Sequence, residues 1–285
     1  MNELVYKFYK DVTGWIAFAT NTRTVVRYDP EHKEDLSLND HFLDSDFELF
    51  KQRPEYRLLS FSKMNSIHPL SHGIQVDLYD DLLTACILLR YQKPYRNVDA
   101  QELPYYSEDV PMKQVTRCLN WLHNTDFFDA HASTIYHDAV AGGLLYHTLR
   151  VALEAAKLFE TGLFPTECIE DIILLALVHD WCKIGLYESY MKNVKDDATG
   201  VWSQQIAYRT TERRVYPFGH GVSSLMMVMK FFRLNEEESL AIRWHMGEYN
   251  VADNEMNDLH YANENYPLVY MLQFADRLAV TNYIK

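Results

Sequence analysis

The sequence predicts a mainly helical fold, with a mixed accessory region over residues 1–109, a helical domain over 110–285 and a β-hairpin inserted into that domain. Three observations predict it. From Val110 onward apolar residues recur at helical spacing, as at 144, 145, 149, 152, 153 and 156. Helix-start signals precede several of these stretches. Thr166 stands ahead of Glu167, Glu170 and Asp171, and Asn235 has Glu238 at capping-box spacing. Finally, Asp196-Asp197-Ala198-Thr199-Gly200 reads as a turn between two short strands inside residues 186–218.

Taken along the chain, residues 14–28 (GWIAFATNTRTVVRY) carry β-rich stretches around Asn21 and read as a hairpin. Residues 79–91 (YDDLLTACILLRY) read as a buried helix, and 94–111, rich in Pro, Tyr and acidic residues, as a connection. Helices are then expected over 110–124, 144–159, 167–180, 222–232, from the Asn235 cap, and over 267–281. There is no internal repeat.

With 48% hydrophobic residues the chain has the means to bury a sizeable core. It has no run of about 18 apolar residues, so no membrane span is expected. Its N-terminus, MNELVYKFYKD, lacks the apolar stretch of a secretion signal, and a cytoplasmic location is the expectation. Cys86, Cys118, Cys168 and Cys182 form no C-x-x-C pair and read as buried free thiols. The net charge of −13 divides into −4 over residues 1–120 and −9 over 121–285. Such a surface repels a phosphate backbone at long range, which argues against extended duplex binding but not against a nucleotide or a strand end.

The chemistry concentrates in LLALVHDWCKIG, where His179 and Asp180 close an apolar helix. A carboxylate on such a background is costly to bury unless it is paired or ligates a metal. At the last turn both side chains can aim into a cavity between helices, and the two oxygens of Asp180 can bridge two ions. His147 (GGLLYHTLRVA), His220 (PFGHGVSSL), His245 (LAIRWHMG) and Asp276 (LQFADRLAV) lie in or beside apolar stretches, each on a different helix. A lone core histidine is more often hydrogen-bonded than metal-bound; a bundle that converges several such side chains makes a site. Imidazole with carboxylate suits one or two divalent ions among Mn, Fe, Co, Ni and Zn. No P-loop, G-x-S-x-G or dinucleotide fingerprint competes.

The order H…HD…D, with HDWCKIG where HD-x-x-K is usual, resembles the HD superfamily of metal-dependent phosphohydrolases over residues 121–285. Within it, YHDAVAGGLLYHTLRVA is similar to the H-x-x-x-x-GGLL-x-HT element of one branch, which includes bacterial 3′-5′ exoribonucleases with a preceding OB domain and HD-like domains of some conjugative relaxases. The resemblance implies a helical bundle with His147, His179, Asp180 and Asp276 as metal ligands, and His220 and His245 at the positions used by two-metal members. It implies His137 as a pocket residue and Lys183, beside the catalytic Asp180, as a group that stabilises charge on phosphate. Trp181 and Cys182 depart from it, standing where small or apolar residues are common, and residues 1–109 show no OB pattern.

The implied activity is a phosphohydrolase or phosphodiesterase, in which a metal-activated water attacks a nucleotide, another small phosphoester or a single-stranded nucleic-acid end. Arg209, Arg213 and Arg214, the dense basic cluster of the insertion, are the substrate-binding candidates, with Tyr187, Tyr190, Trp202, Tyr208 and Tyr216 nearby for stacking. With both ends next to ligands, the insertion is expected to form a flap beside the pocket. Two other readings share the ligand order: a mixed-valent diiron oxygenase on the same fold, and a ligand-binding domain without catalysis.

Overall fold

The computed structural model describes residues 6–11, 14–19, 25–28, 54–64, 66–68, 70–91, 110–134, 138–164, 168–212, 216–249 and 251–281. Most of the described chain is helical. Strands β1 (Tyr6–Asp11), β2 (Gly14–Ala19) and β3 (Val25–Tyr28) form an antiparallel sheet in the order β1-β2-β3. Strands β2 and β3 are the stretches expected to flank Asn21; residues 20–24 lie outside the described residues.

Helices α1 (Pro54–Ser62) and α2 (His72–Tyr91) precede α3 (Val110–His123), α4 (Gly143–Glu160) and α5 (Ile169–Val178). After the hairpin come α6 (His220–Val228), α7 (Glu236–Trp244), α8 (Met256–Asn265) and α9 (Pro267–Thr281). One apolar core runs from Leu58 on α1 to Ala279 on α9. All four cysteines are buried free thiols.

Helix α5 is the axis of this packing. It lies against α4, α2, α9 and α1, and every residue from Glu170 to Val178 is buried. A helix that is apolar all round belongs inside a protein, so whatever follows it is delivered to the middle of the fold. The buried Asp171 of this helix tolerates this through a partner. Arg90 on α2 places Nη1 2.7 Å from Asp171 and 2.5 Å from Glu238 on α7, joining three helices. Glu238 also accepts from the Asn235 amide at 2.9 Å while Asn235 accepts from the Glu238 amide, which completes the expected capping box. The expected cap at Thr166 lies outside the described residues.

The helical part of the HD segment stops at Val178, and a 3-10 turn follows over Trp181–Lys183. Trp181 is fully buried against Trp121 and Phe231 and donates to the Tyr79 hydroxyl at 3.1 Å. Tyr79 in turn donates to the Leu177 carbonyl at 2.9 Å, one of the carbonyls that the end of α5 leaves without a helical partner. The large indole at this position ties the end of α5 to α2 and α3.

The insertion is a hairpin of β4 (Tyr187–Lys195) and β5 (Trp202–Thr210), paired from Tyr187 with Thr210 to Lys195 with Trp202. Asp196 closes the turn by accepting from the amides of Ala198 at 2.9 Å and Thr199 at 2.8 Å. At the other end Tyr208 stacks on His131 at 3.8 Å between ring centroids.

Candidate metal centre

Five elements deliver six side chains to one point. Helix α4 supplies His147, the end of α5 supplies His179 and Asp180, the first residue of α6 is His220, the C-cap of α7 is His245, and α9 supplies Asp276. Two glycines permit the approach. A Cβ on Gly221 would stand 2.0 Å from the Arg243 carbonyl oxygen, so the start of α6 rests on the backbone of α7. A Cβ on Gly143 would stand 1.9 Å from the Asp138 carbonyl oxygen, which fixes the start of α4 against the preceding loop.

Asp180 is the hub. Its Oδ1 lies 2.9 Å from His220 Nε2 and 3.5 Å from His245 Nε2. Its Oδ2 lies 3.4 Å from His179 Nε2, 3.5 Å from His147 Nε2 and 2.6 Å from Lys183 Nζ. Each oxygen thus faces its own pair of imidazoles. On the Oδ2 side, His147 Nε2 is also 3.2 Å from Asp276 Oδ1, and His147, His179 and Asp276 bring one donor atom each within 4.8 Å of one another.

The tautomers sharpen this geometry. His179 Nδ1–H donates to the Ala176 carbonyl at 2.7 Å, and His245 Nδ1–H donates to the Ile242 carbonyl at 2.8 Å. Both rings cap carbonyls at the ends of their helices by the same device. Each Nε2 is thereby left as a lone pair unless a second proton is bound. Both Nε2 atoms are buried and make no hydrogen bond, although a carboxylate oxygen lies within 3.5 Å. Buried nitrogens that converge on carboxylate oxygens could hold a cation, and imidazole with carboxylate is a donor set for a divalent transition metal. The residues therefore fit such an ion.

Burial pushes the Asp180 carboxyl up, and the Lys183 ammonium with the imidazoles around it outweighs that, holding its pKa well below the ordinary carboxylate value. Burial likewise works against the charged form of Asp276, and the His147 hydrogen bond and charge outweigh it and lower its pKa. Burial lowers His147, and its hydrogen bonds to Asp180 and Asp276 more than restore it. In His220 burial wins over the Asp180 hydrogen bond, and its pKa is lowered. Lys183 is buried, and the Asp180 charge holds its pKa above the usual lysine value against that burial. Its ammonium is held on Asp180 Oδ2.

The centre opens into a cleft of about 2190 Å³ whose walls include Tyr187, Tyr216, Arg243, Gln273, Phe274 and Arg277. Leu186, Tyr187 and Thr210, at the base of the hairpin, line it. Arg209 does not. It alternates with Tyr208, which faces His131, and its Nε is 2.8 Å from Glu188 with the guanidinium over the Tyr190 ring. Arg213, Arg214 and His137 lie outside the described residues.

Two cleft residues were not singled out as site residues by the sequence reading. Asp138, with φ of 50°, has its carboxylate 3.7 Å from Arg150, and burial raises its pKa. Cys182 brings its sulfur into one group with Asp180 and His220, and burial pushes its thiol up to about 12. The only signal of the latter in the sequence was a thiol two places after Asp180.

Among the described residues no helix is long and apolar enough to cross a membrane. Comparison of the chain with family models, with curated proteins and with solved structures gives no match, so the chemistry of this centre is argued from its side chains.

Proposed function

We propose that this chain is a metal-dependent phosphohydrolase or phosphodiesterase of the HD type, acting on a nucleotide, another small phosphoester or a single-stranded nucleic-acid end. The observation that carries the reading is the one carboxylate, Asp180, with each oxygen facing its own histidine pair, and with His179 and His245 Nε2 buried and without hydrogen bonds. His147, His179, Asp180 and Asp276 would hold one ion, and Asp180, His220 and His245 a second. A divalent ion so held supplies a water of lowered pKa and a counter-charge for a phosphate oxygen.

The chain's own contribution is position and charge. The backbone carbonyls of Ala176 and Ile242 fix the rings of His179 and His245 so that Nε2 points inward. Lys183 keeps Asp180 ionised in the buried centre and lines the cleft, where it can meet a phosphate oxygen. Tyr187, Tyr216 and Phe274 offer aromatic surface for a base, and Arg277 offers positive charge in an otherwise acidic domain, whereas the Arg243 guanidinium lies 2.7 Å from Glu255.

The test is hydrolysis by protein reconstituted with Mn, Fe, Co, Ni or Zn. The substrates are a chromogenic phosphodiester, nucleotides, cyclic dinucleotides and single-stranded oligonucleotides, with bound metal measured in parallel. Hydrolysis that needs metal and disappears in Asp180→Asn supports the reading. Protein that holds its full metal complement and cleaves none of these overturns it. Tightly bound iron with an oxygen-dependent spectrum and no hydrolysis would instead identify an oxygenase.

A further inference from the structure

We propose that Cys182 is a thiolate ligand at the second metal position, beside His220 and Asp180, so that the two halves of the centre differ in softness. The inference rests on the metal-binding part of the proposed function and deepens it.

Two independent observations meet here. The Cys182 sulfur, a His220 ring nitrogen and an Asp180 oxygen lie within 4.8 Å of one another. On Asp180 Oδ1, the oxygen that His220 Nε2 also approaches, the buried His245 Nε2 points inward without a hydrogen bond at 3.5 Å. An imidazole that is aimed, buried and unpartnered marks a position for a cation, and the Cys182 sulfur is a further donor grouped with the same Asp180 carboxylate. The other grouping of a thiol with acids, Cys168 with Glu170 and Asp171, has the Arg90 guanidinium on Asp171 and no imidazole.

The backbone explains why the sulfur is there. In a continued α-helix a residue two places after Asp180 would point to the opposite side. The 3-10 turn over Trp181–Lys183 sends Trp181 into the core and Cys182 towards α6, where its amide donates to Ser224 Oγ at 3.1 Å. The Ser224 hydroxyl also lies within hydrogen-bond reach of the sulfur. Its oxygen accepts from the amide, so its proton is available to a thiolate, the kind of support that orients metal ligands. On ligation the S–H bond breaks, sulfur donates its electron pair to the metal, and the proton leaves to solvent through the cleft.

The consequence is selectivity. The position at His147, His179 and Asp276 offers nitrogen and oxygen. The position at Cys182, His220 and Asp180 adds soft sulfur, which favours Zn and Co over Mn or Mg. A centre built this way loads two different metals from a mixture.

The test uses full-length protein titrated with Co(II) alone, following bound equivalents and the near-ultraviolet thiolate-to-cobalt charge-transfer band. Wild type is expected to develop the band as the second equivalent binds, and Cys182→Ser to lack it. A Zn-loaded wild-type sample read by X-ray absorption is expected to show a sulfur neighbour at about 2.3 Å. This second measurement stands even if Cys182→Ser fails to fold. A band that persists in Cys182→Ser overturns the proposal, as does wild type with two bound equivalents and neither band nor sulfur neighbour. Wild type that binds no metal overturns both this inference and the reading beneath it, whereas metal-dependent hydrolysis without a sulfur signature overturns only this one.

Discussion

Replacing Gly221 by Ala tests how the second half of the centre is assembled. The added methyl would stand 2.0 Å from the Arg243 carbonyl oxygen and 2.7 Å from its carbonyl carbon, both backbone atoms, whereas ordinary contact begins at 3.4 Å. The start of α6 must therefore move away from α7 by about 1 Å or more, at the 1–3 kcal/mol typical of overpacking. Alanine recovers about 0.5–1 kcal/mol of that through its better helix propensity. The net loss is about 1–2 kcal/mol, or roughly 2–8 °C in Tm at the slope for domains of this size. The same displacement breaks the 2.9 Å contact of His220 with Asp180, so one metal equivalent should weaken while the His147–His179–Asp276 half keeps its ion. The matched control is Gly73→Ala on α2, where a Cβ meets nothing within 4 Å, and where the change should be neutral or stabilising by about 0.4–1 kcal/mol. Calorimetry and metal titration on both variants decide it. If Gly221→Ala melts like Gly73→Ala and binds metal like wild type, the close approach is not what positions His220.

Arg90→Met should cost about 3–5 kcal/mol, because it leaves the buried Asp171 and Glu238 carboxylates without their shared cation; a urea midpoint close to wild type would refute this. Asn235→Ala removes the cap of α7 and should cost about 1 kcal/mol, with the urea m-value unchanged. The lowered pKa of Asp276 means that its stabilising contribution is full above its unfolded value, about 3.9, and is lost as pH falls through its lower folded value. Metal-free wild type should therefore lose Tm on acidification below about pH 4, and Asp276→Asn should flatten that loss; parallel acid profiles would contradict the assignment.

Much of the centre was legible because polar ligands stand out on apolar helices. His147, His179, Asp180, His245 and Asp276 sit where periodicity demands Leu or Ala; the first four are buried and Asp276 is half-buried. Helix α8 was not legible for the same reason in reverse: in MNDLHYANEN only Leu259 and Ala262 are buried, too few to set a period. Strand β1 was missed because lysines break its apolar alternation. Helix α1, which opens at Pro54, was not read at all. The helix expected over 167–180 ends two residues early, because Asp180 adopts φ of −108° and ψ of 18° and opens the 3-10 turn. That turn brings Cys182, read with the other cysteines as a buried free thiol, into one group with Asp180 and His220. Arg209, expected as a substrate-binding residue, has a partner that could not be read: Glu188 is 21 residues away, across a strand register that the sequence does not display.

Lys183 offers the sharpest separation between a structural cation and a catalytic one. Its ammonium lies 2.6 Å from Asp180 Oδ2, the oxygen that faces His147 and His179. In the metal-free protein it is the nearest fixed positive charge to a buried carboxylate. Removing one partner of such a pair costs about 3–5 kcal/mol, so Lys183→Met should lower the metal-free Tm by roughly 6–20 °C. A divalent ion beside Asp180 changes the balance. It supplies the counter-charge that lysine supplied, repels the ammonium, and needs the oxygen on which the ammonium rests. Lys183→Met should therefore bind metal more tightly, by about tenfold for each 1.4 kcal/mol of competition removed. Its metal-bound Tm should approach that of wild type, because binding to the folded state alone adds stability with ligand affinity. Turnover of a phosphoester, if Lys183 also meets phosphate, should fall through both kcat and kcat/KM. Metal titration by calorimetry, with and without the substitution, separates the cases. Equal losses of Tm with and without metal, and unchanged metal affinity, would mean that the ammonium and the ion do not share Asp180, and that the ion sits elsewhere than between these histidines.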